Sequence, residues 1–477
     1  MTPEETAAPV AVGDAPSSGV FATIRQALSG AHRDLTELTL RRAIVLLAIP
    51  MILEMLMESL FGVVDMFFVA RLGVDSLATV ALTESCLVLV FGIAMGLSMA
   101  TTAFVARRIG EKDPAGAAVA AVQSIAVGLL LSAIVGVAGI LYAPHLLGIM
   151  GASPSVIAIG STYTRILLGG SVTIFMLFLI NAIFRGAGDA ALAMRALWFA
   201  NLINIVLDPC LINGWGPFPR LNVMGASVAT TTGRGLGVVF QLWMLFGGKS
   251  RVRVYARQVR INLEVLWKLM RVSFTGILQF LIATASWTAL VRICASFGSV
   301  PVAGYTVAIK IFMFVILPSW GLSNSAATLV GQNLGAKKAE RAEQAVYQTG
   351  RYTTYYMGSI AVVFLVFARQ LAAFFTSDPA VQAVAADCLR FISVGNICYA
   401  WGMVLVQAFN GAGDTRTPSL INFVCYWCFQ IPLAYTLAVV LHAGPRGVFA
   451  AIPAAETAMT VASLVLFRRG AWKRKVI

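Results

Sequence analysis

The sequence predicts an all-α integral membrane protein, with twelve transmembrane helices in two parallel six-helix repeats forming two lobes around a central cavity. Three observations predict it. The 477 residues are 59% hydrophobic and only 12% charged, whereas soluble domains carry about 45–50% apolar and about 25% charged residues. The apolar residues fall in runs of bilayer length, and the chain repeats itself at a fixed offset. The net charge of +14 comes in short clusters between those runs, a membrane pattern rather than a nucleic-acid footprint. A soluble multidomain enzyme and a nucleic-acid partner are therefore excluded.

Residues 1–42 read as a cytoplasmic tail and interfacial helix. Glu4, Glu5 and Asp14 stand where a secretory signal needs a basic start. From Phe21, the residues Ile24, Leu28, Leu35 and Leu38 recur at roughly helical spacing before Arg41 and Arg42. A span needs about 20 apolar residues. The sequence supplies such windows at 43–70, 77–103, 117–142, 157–184, 190–213 and 223–247, then at 265–296, 301–328, 346–368, 382–409, 417–441 and 446–467. A first lobe over 43–247, a cytoplasmic linker over 248–264, a second lobe over 265–468 and a basic cytoplasmic tail over 469–477 follow. Arg107, Arg108 and Lys112, then Arg185, then Lys249 through Arg260, then Lys337, Lys338 and Arg341, then Arg416, and Arg468 through Lys475 occupy every second connection and the tail. The other connections carry only Arg71, Arg220, Arg369 and Arg446. The positive-inside rule thus predicts a multi-pass protein of the cell inner (cytoplasmic) membrane with both termini cytoplasmic.

At a shift of 225 residues, Gly73, Gly96, Leu97, Ser98 and Gly110 fall on Gly298, Gly321, Leu322, Ser323 and Gly335, and Phe184 through Asp189 (FRGAGD) fall on Phe409 through Asp414 (FNGAGD). Shared hydrophobicity does not produce Gly-Ala-Gly-Asp twice at one offset, so the unit is duplicated. Six spans per copy is an even number, so both copies enter from the same side and are related by an axis along the membrane normal.

Charged groups inside a bilayer cost about 2.5 to 3.5 kcal/mol each on insertion scales and are functional candidates by default. The first span holds Glu54, Glu58 and Asp65. At about 100° per residue they lie within about 40° of one another, an acidic stripe about 16 Å long that cannot face lipid. Glu54 falls near mid-membrane and Asp65 near the outer end of its helix. Asp208, with Asn204 one turn below it, and Thr230 of the descending sixth span reach the level of Asp65. These hard-oxygen groups suit a proton or an alkali cation, though Asn204 and Thr230 also fit simple interhelical bonding. Glu84 either joins this network or pairs with Arg165. Arg234, deep in the sixth span, calls for a salt bridge to Glu58 or a neighbour.

The second lobe has Gln279 in the repeat position of Glu54, Leu290 in that of Asp65 and Leu433 in that of Asp208. It contributes instead Lys310, Arg292 and Arg390, either as interlobe pairs or as cavity lining, with Asp387 tied to Arg390 at i,i+3 and Glu456 alone in the last span. The seven cysteines, among them Cys425 and Cys428 in a C-x-x-C, all lie in apolar segments and read as packing rather than as disulfides or metal ligands. His32, His145 and His442 lie outside or at the ends of the apolar runs and form no intramembrane cluster. Gly248-Lys249-Ser250 imitates the end of a P-loop, but Trp243 replaces its first glycine. No nucleotide motor, catalytic dyad or cofactor site is expected.

Pro50, Val64 through Gly73 (VDMFFVARLG), Phe184 through Asp189, Asp208-Pro209, Gly225 through Thr230 (GASVAT), Gly321 through Ser323, Gly331 through Gly335 (GQNLG) and Phe409 through Asp414, in this order and spacing, resemble the multidrug and toxic compound extrusion transporters, nearer their DinF-like prokaryotic branch. The resemblance covers residues 40 to 468. It implies a twelve-helix exporter that exchanges sodium or protons for small organic, often cationic, compounds by rocking between outward-open and inward-open states. No cofactor beyond the coupling ion is implied; membrane lipid is the surrounding partner, and a monomer is expected. The resemblance makes Asp65 the main ion-coupling residue, with Asn204, Asp208 and Thr230 around it as sodium ligands if sodium is the ion. It makes Pro50 the first-helix proline that permits bending, against the alternative of a static kink. The branch with an acid in the seventh helix is not matched, because Gln279 stands there. Glu54 and Glu58 are additions that either bind substrate cations or pass protons, or else pair with Arg234 or hydroxyl donors. With Glu84, Gln279 and Lys310 they form the candidate substrate or proton pathway. A lipid-linked oligosaccharide flippase of related fold is the alternative, favoured by Lys310, Arg292 and Arg390 and opposed by the acidic first lobe.

Overall fold

In a computed structural model that describes residues 20–30 and 34–477, every regular element among the described residues is helical. Glu4, Glu5, Asp14 and His32 lie outside the described residues. A short helix, Val20–Ser29, precedes twelve long ones. The first lobe contains α1 (Leu40–Ala70), α2 (Val74–Gly110), α3 (Pro114–Ile149), α4 (Pro154–Ala187), α5 (Ala190–Asn213) and α6 (Val223–Phe246). The second contains α7 (Leu263–Ala295), α8 (Ser299–Gly335), α9 (Ala339–Phe375), α10 (Pro379–Gly411), α11 (Arg416–Val440) and α12 (Pro445–Arg468). Eleven are long and apolar enough to cross a membrane; α6 is the exception. Its polar and small residues Ser227, Thr230, Gly233 and Gln241 are buried against its own lobe, so they never meet lipid. The outer surface is apolar, with Leu130, Leu141, Val206, Val239 and Phe374 exposed, as a bilayer requires.

The duplication is visible in the backbone. α2 and α8 start and stop 225 residues apart at both ends. The chain turns with left-handed backbone at the same points in each copy: Gly73 and Gly298 at φ 103° and 106°, Lys112 and Lys337 at 57° and 59°, Gly188 and Gly413 at 87° and 80°. Several helices outrun their predicted windows. The window 77–103 is Val74–Gly110 and 346–368 is Ala339–Phe375, because charged residues such as Arg107, Arg108 and Arg341 continue the helix beyond the hydrocarbon. α11 loosens into π-helical turns over Phe423–Gln430 and Thr436–Val440.

The lobes are clasped at the basic end, backbone against backbone. A Cβ on Gly110 of α2 would lie 2.0 Å from the Gln332 carbonyl oxygen of α8, and one on Gly335 of α8 would lie 2.2 Å from the Arg107 carbonyl oxygen of α2. Farther in, Gly96 would meet the Ile277 amide of α7 at 2.4 Å and its repeat mate Gly321 the Met51 carbonyl of α1 at 2.5 Å. Hydrogen bonds from Thr328 to the Arg185 carbonyl (3.1 Å) and from Gln332 to the Gly186 carbonyl (2.9 Å) add to the clasp. The segment before α1 is strapped across it, with Lys338 donating to the Thr36 carbonyl at 3.0 Å and Arg341 to the Leu35 and Leu38 carbonyls. Burial alone would raise the Asp34 carboxyl in this strap. Hydrogen bonds from the Thr36 hydroxyl and amide, with Arg251 and Lys112 nearby, hold it below the ordinary aspartate value.

Gly110→Ala and Gly335→Ala are expected to lower stability by about 1–3 kcal/mol each through overpacking, read as a drop in Tm in detergent. Gly358→Ala, with nothing within 4 Å of its added methyl, is expected to be neutral or stabilising by up to about 1 kcal/mol.

Candidate functional site

Between the lobes lies a cavity of about 280 Å³. Helix α1 gives it Met55, Glu54 and Glu58; α2 gives Phe91, Met95 and Met99; α4 gives Phe178, Asn181 and Arg185. The second lobe supplies Phe280, Trp320, Asn324, Gln407 and Asn410. Aromatic rings and pliable methionines of this kind suit flat organic molecules of varied outline. The polar groups at one wall are tightly bound to each other. Glu54, 1% exposed, accepts from Arg185 Nη1 at 2.7 Å and Asn181 Nδ2 at 3.1 Å. Asn181 Oδ1 in turn accepts from Gln241 Nε2 at 2.7 Å. Glu58 accepts from Asn201 Nδ2 at 3.2 Å, and the Trp198 indole donates to the Leu53 carbonyl at 3.0 Å, fixing α5 to α1.

A second polar nest lies inside the first lobe, apart from the cavity lining. It is built by α1, α5 and α6, and the crossing of α5 and α6 is set by Gly233, where a Cβ would fall 2.8 Å from the Ala200 carbonyl oxygen. That approach lets Asn204 Nδ2 donate to Thr230 Oγ1 at 3.1 Å. Asp208, 0% exposed, and Asp65 are electrostatic neighbours. Pro209, inside α5, has no amide to offer the Ile205 carbonyl one turn back, so the helical ladder is interrupted beside Asp208. Asp65 Oδ1, Asn204 Oδ1 and both carboxylate oxygens of Asp208 are buried with no donor among the described residues. Buried acceptors are normally satisfied, so four orphaned oxygens converging in one nest define a place for a positive species. Only two of the set are acids, and among the described residues no trio of His, Cys, Asp and Glu converges. The donors are hard oxygens of the sort that hold a proton or an alkali cation. Arg234 joins nest to cavity. It lies within electrostatic range of Glu58, Asp65 and Tyr163 and beside the Phe61 and Phe91 rings, 5.7 and 5.8 Å from their centroids.

Several expectations are corrected. Glu54 pairs with Arg185, not with Arg234 or hydroxyls, because the long Arg185 side chain reaches back from the basic end of α4. Glu84 has Lys310 of α8 and Asp65 as its charged neighbours rather than Arg165. Gln279, Lys310 and Glu84 do not line the cavity, and neither do Arg292 and Arg390. Asp387 binds Arg446 at 2.6 Å and only loosely Arg390, at 3.9 Å. Glu456 is not alone, since the Tyr426 hydroxyl donates to it at 3.2 Å. Sequence reasoning missed Asn181, Asn201, Gln241, Asn324, Gln407 and Asn410. Their signal was faint: single amides in apolar runs, except that Asn410 is the repeat mate of Arg185.

Two repeated bundles around a shared cavity, with the neighbouring acids Asp65 and Asp208 in the first lobe replaced by Leu290 and Leu433 in the second, define a membrane transporter. The chain belongs to the MatE family, whose model matches residues 50–210 and 276–436, one segment per lobe. It is similar to a probable multidrug resistance protein NorM of Thermotoga maritima, 23% identical over 92% of this chain and 94% of that one. It is also similar to an FAD transporter of Shewanella oneidensis, 24% identical over 90% and 94%. Solved structures of MATE in the straight and the bent conformation superpose with TM-scores of 0.87 and 0.86 at 27% identity. They cover 92% and 94% of this chain and 98% of their own.

Arg185→Met, which strands the Glu54 carboxylate, is expected to destabilise by about 3–5 kcal/mol. The double change Glu54→Gln/Arg185→Met should cost less than that single one. Thermal melts of both variants and of Glu54→Gln close the cycle, and additive losses would show that the pair is not coupled.

Proposed function

We propose that this chain is an antiporter of the cytoplasmic membrane, with both termini in the cytoplasm, that expels small organic compounds of cationic character in exchange for inward sodium or protons. The observation that carries the reading is the set of orphaned oxygens of Asp65, Asn204 and Asp208 beside Thr230. A positive species taken up there satisfies all of them, and among the described residues none of these oxygens has a hydrogen-bond donor. The Thermotoga relative's description as a multidrug resistance protein and the aromatic, methionine-rich cavity support an organic substrate. Glu58, a cavity-lining carboxylate whose hydrogen-bond donor is the Asn201 amide, supports a cationic one.

The physical route from ion to substrate runs along α1. Asp65, Glu58 and Glu54 lie on one stripe of that helix, and Arg234 is shared electrostatically by Asp65 and Glu58. Neutralising Asp65 releases Arg234 toward Glu58 and weakens the hold of Glu58 on a cationic substrate. Pro50, inside α1 and next to the Gly321 contact at Met51, interrupts the helical ladder where α1 meets the other lobe. Bending there would shift the stripe while the clasp is undone. Coupling then follows if ion and substrate favour different conformations, since equal affinity for both shifts nothing. A flippase for pyrophosphate-linked lipids is disfavoured: Lys310, Arg292 and Arg390 do not line the cavity, and its Arg185 is already bound to Glu54.

In proteoliposomes with imposed sodium or pH gradients and a fluorescent organic cation, the native chain should drive efflux on one gradient alone. Asp65→Asn and Asp208→Asn should each reduce that efflux to the passive leak while the Tm stays within a few degrees. Undiminished gradient-driven efflux by both variants would refute the coupling site. Pro50→Ala should slow turnover with substrate affinity retained; an unchanged rate would mark a static kink.

A further inference from the structure

A second pocket, about 320 Å³, opens at the basic end between α2, α7 and the turn joining α10 to α11. Lys268, Arg271, Arg416 and Lys475 line it against one carboxylate side chain, Asp414, and the last residue, Ile477, whose terminal carboxylate forms no ion pair among the described residues. That carboxylate is already engaged: one oxygen accepts from Lys475 Nζ at 3.1 Å and the other from the Thr417 hydroxyl at 2.7 Å. Lys268 is held by Glu264 at 3.0 Å. Arg271 and Arg416 are left without a hydrogen bond or ion pair among the described residues.

A second observation is independent of this charge count. Trp267, Arg271 and Phe274 lie four and three residues apart on α7, which places them on one stripe of the helix. Trp267 is 72% and Phe274 61% exposed, so in a bilayer that stripe faces lipid. Tryptophan at the end of a span marks the headgroup level. An arginine set between it and a phenylalanine, with no carboxylate of its own, is costly unless an anion of the lipid itself meets it. Basic pockets between helices at this depth bind acidic headgroups, and guanidinium forks match phosphate oxygens in pairs.

We propose that this pocket binds the headgroup phosphate of an acidic phospholipid, gripped by Arg271 and Arg416 with its acyl chains along Trp267 and Phe274. The site also spans the lobes. Phe104 of α2 lines it, and Arg107 of α2 donates to the Lys475 carbonyl at 3.0 Å. An occupied pocket therefore favours the clasped arrangement.

The test uses the full chain in a neutral detergent with phosphatidylglycerol, phosphatidylcholine or inorganic phosphate added at equal phosphate concentration. Phosphatidylglycerol is expected to raise the Tm, and the other two to leave it unchanged. Arg271→Gln/Arg416→Gln should lose most of that rise with its lipid-free Tm preserved, because neither guanidinium bonds protein. Arg271→Lys/Arg416→Lys should regain part of it, separating loss of charge from loss of fold. Lys249→Gln/Arg257→Gln, which removes two cations from the interlobe linker, should keep it. An equal rise with inorganic phosphate, a rise retained by the Gln pair, no recovery in the Lys pair, or an equal loss in the linker variant would each overturn the proposal.

Discussion

The bond between Glu54 and Arg185 joins the cavity wall, the first lobe and the interlobe contact. It is a buried ion pair between α1 and α4, and a buried pair holds only where its remaining atoms are also served. Asn181 and Gln241 extend it into α6, while the Arg185 carbonyl accepts from Thr328 of the opposite lobe. One residue thus ties together the wall of the cavity, the frame of the first lobe and the clasp between the lobes. A movement of α1 against α4 is felt at all three places.

The cavity and the nest of orphaned oxygens are separate, and the proposed exchange rests on that separation. Two ligands in one pocket compete by contact, whereas two ligands in neighbouring pockets compete through the element they share. Here the shared element is α1, with Arg234 between Glu58 and Asp65. That arginine is flanked by two acids and two aromatic rings, so under the proposed coupling a change of charge on either acid alters the pull on it from the other.

The fold was legible because hydropathy and self-similarity report on the two strongest constraints of a membrane protein, spanning length and internal symmetry. The nest residues could be set at one level because rise per residue converts position into depth, so Asp65, Asp208, Asn204 and Thr230 needed no coordinates to be grouped. Pairings were not legible. Arg185 was counted with the charges of a connection, yet its side chain runs back into the membrane to Glu54. The depth of Glu84 admits both the Asp65 network and Arg165, and packing gives it Asp65 and, across the lobe boundary, Lys310 as neighbours. Depth along a helix can be read from sequence; rotation about it and reach across to another bundle depend on packing.

Because the closest contacts of the clasp are glycines meeting main chain at mirrored positions, those contacts depend on the absence of side chains and not on their identity. Contacts of that kind place no demand on the side chains elsewhere in either half. The two copies therefore differ at Glu54, Asp65 and Asp208 against Gln279, Leu290 and Leu433 without spoiling the seam. Architectural twinship and electrical asymmetry coexist in this molecule because inheritance of shape was decoupled from inheritance of charge.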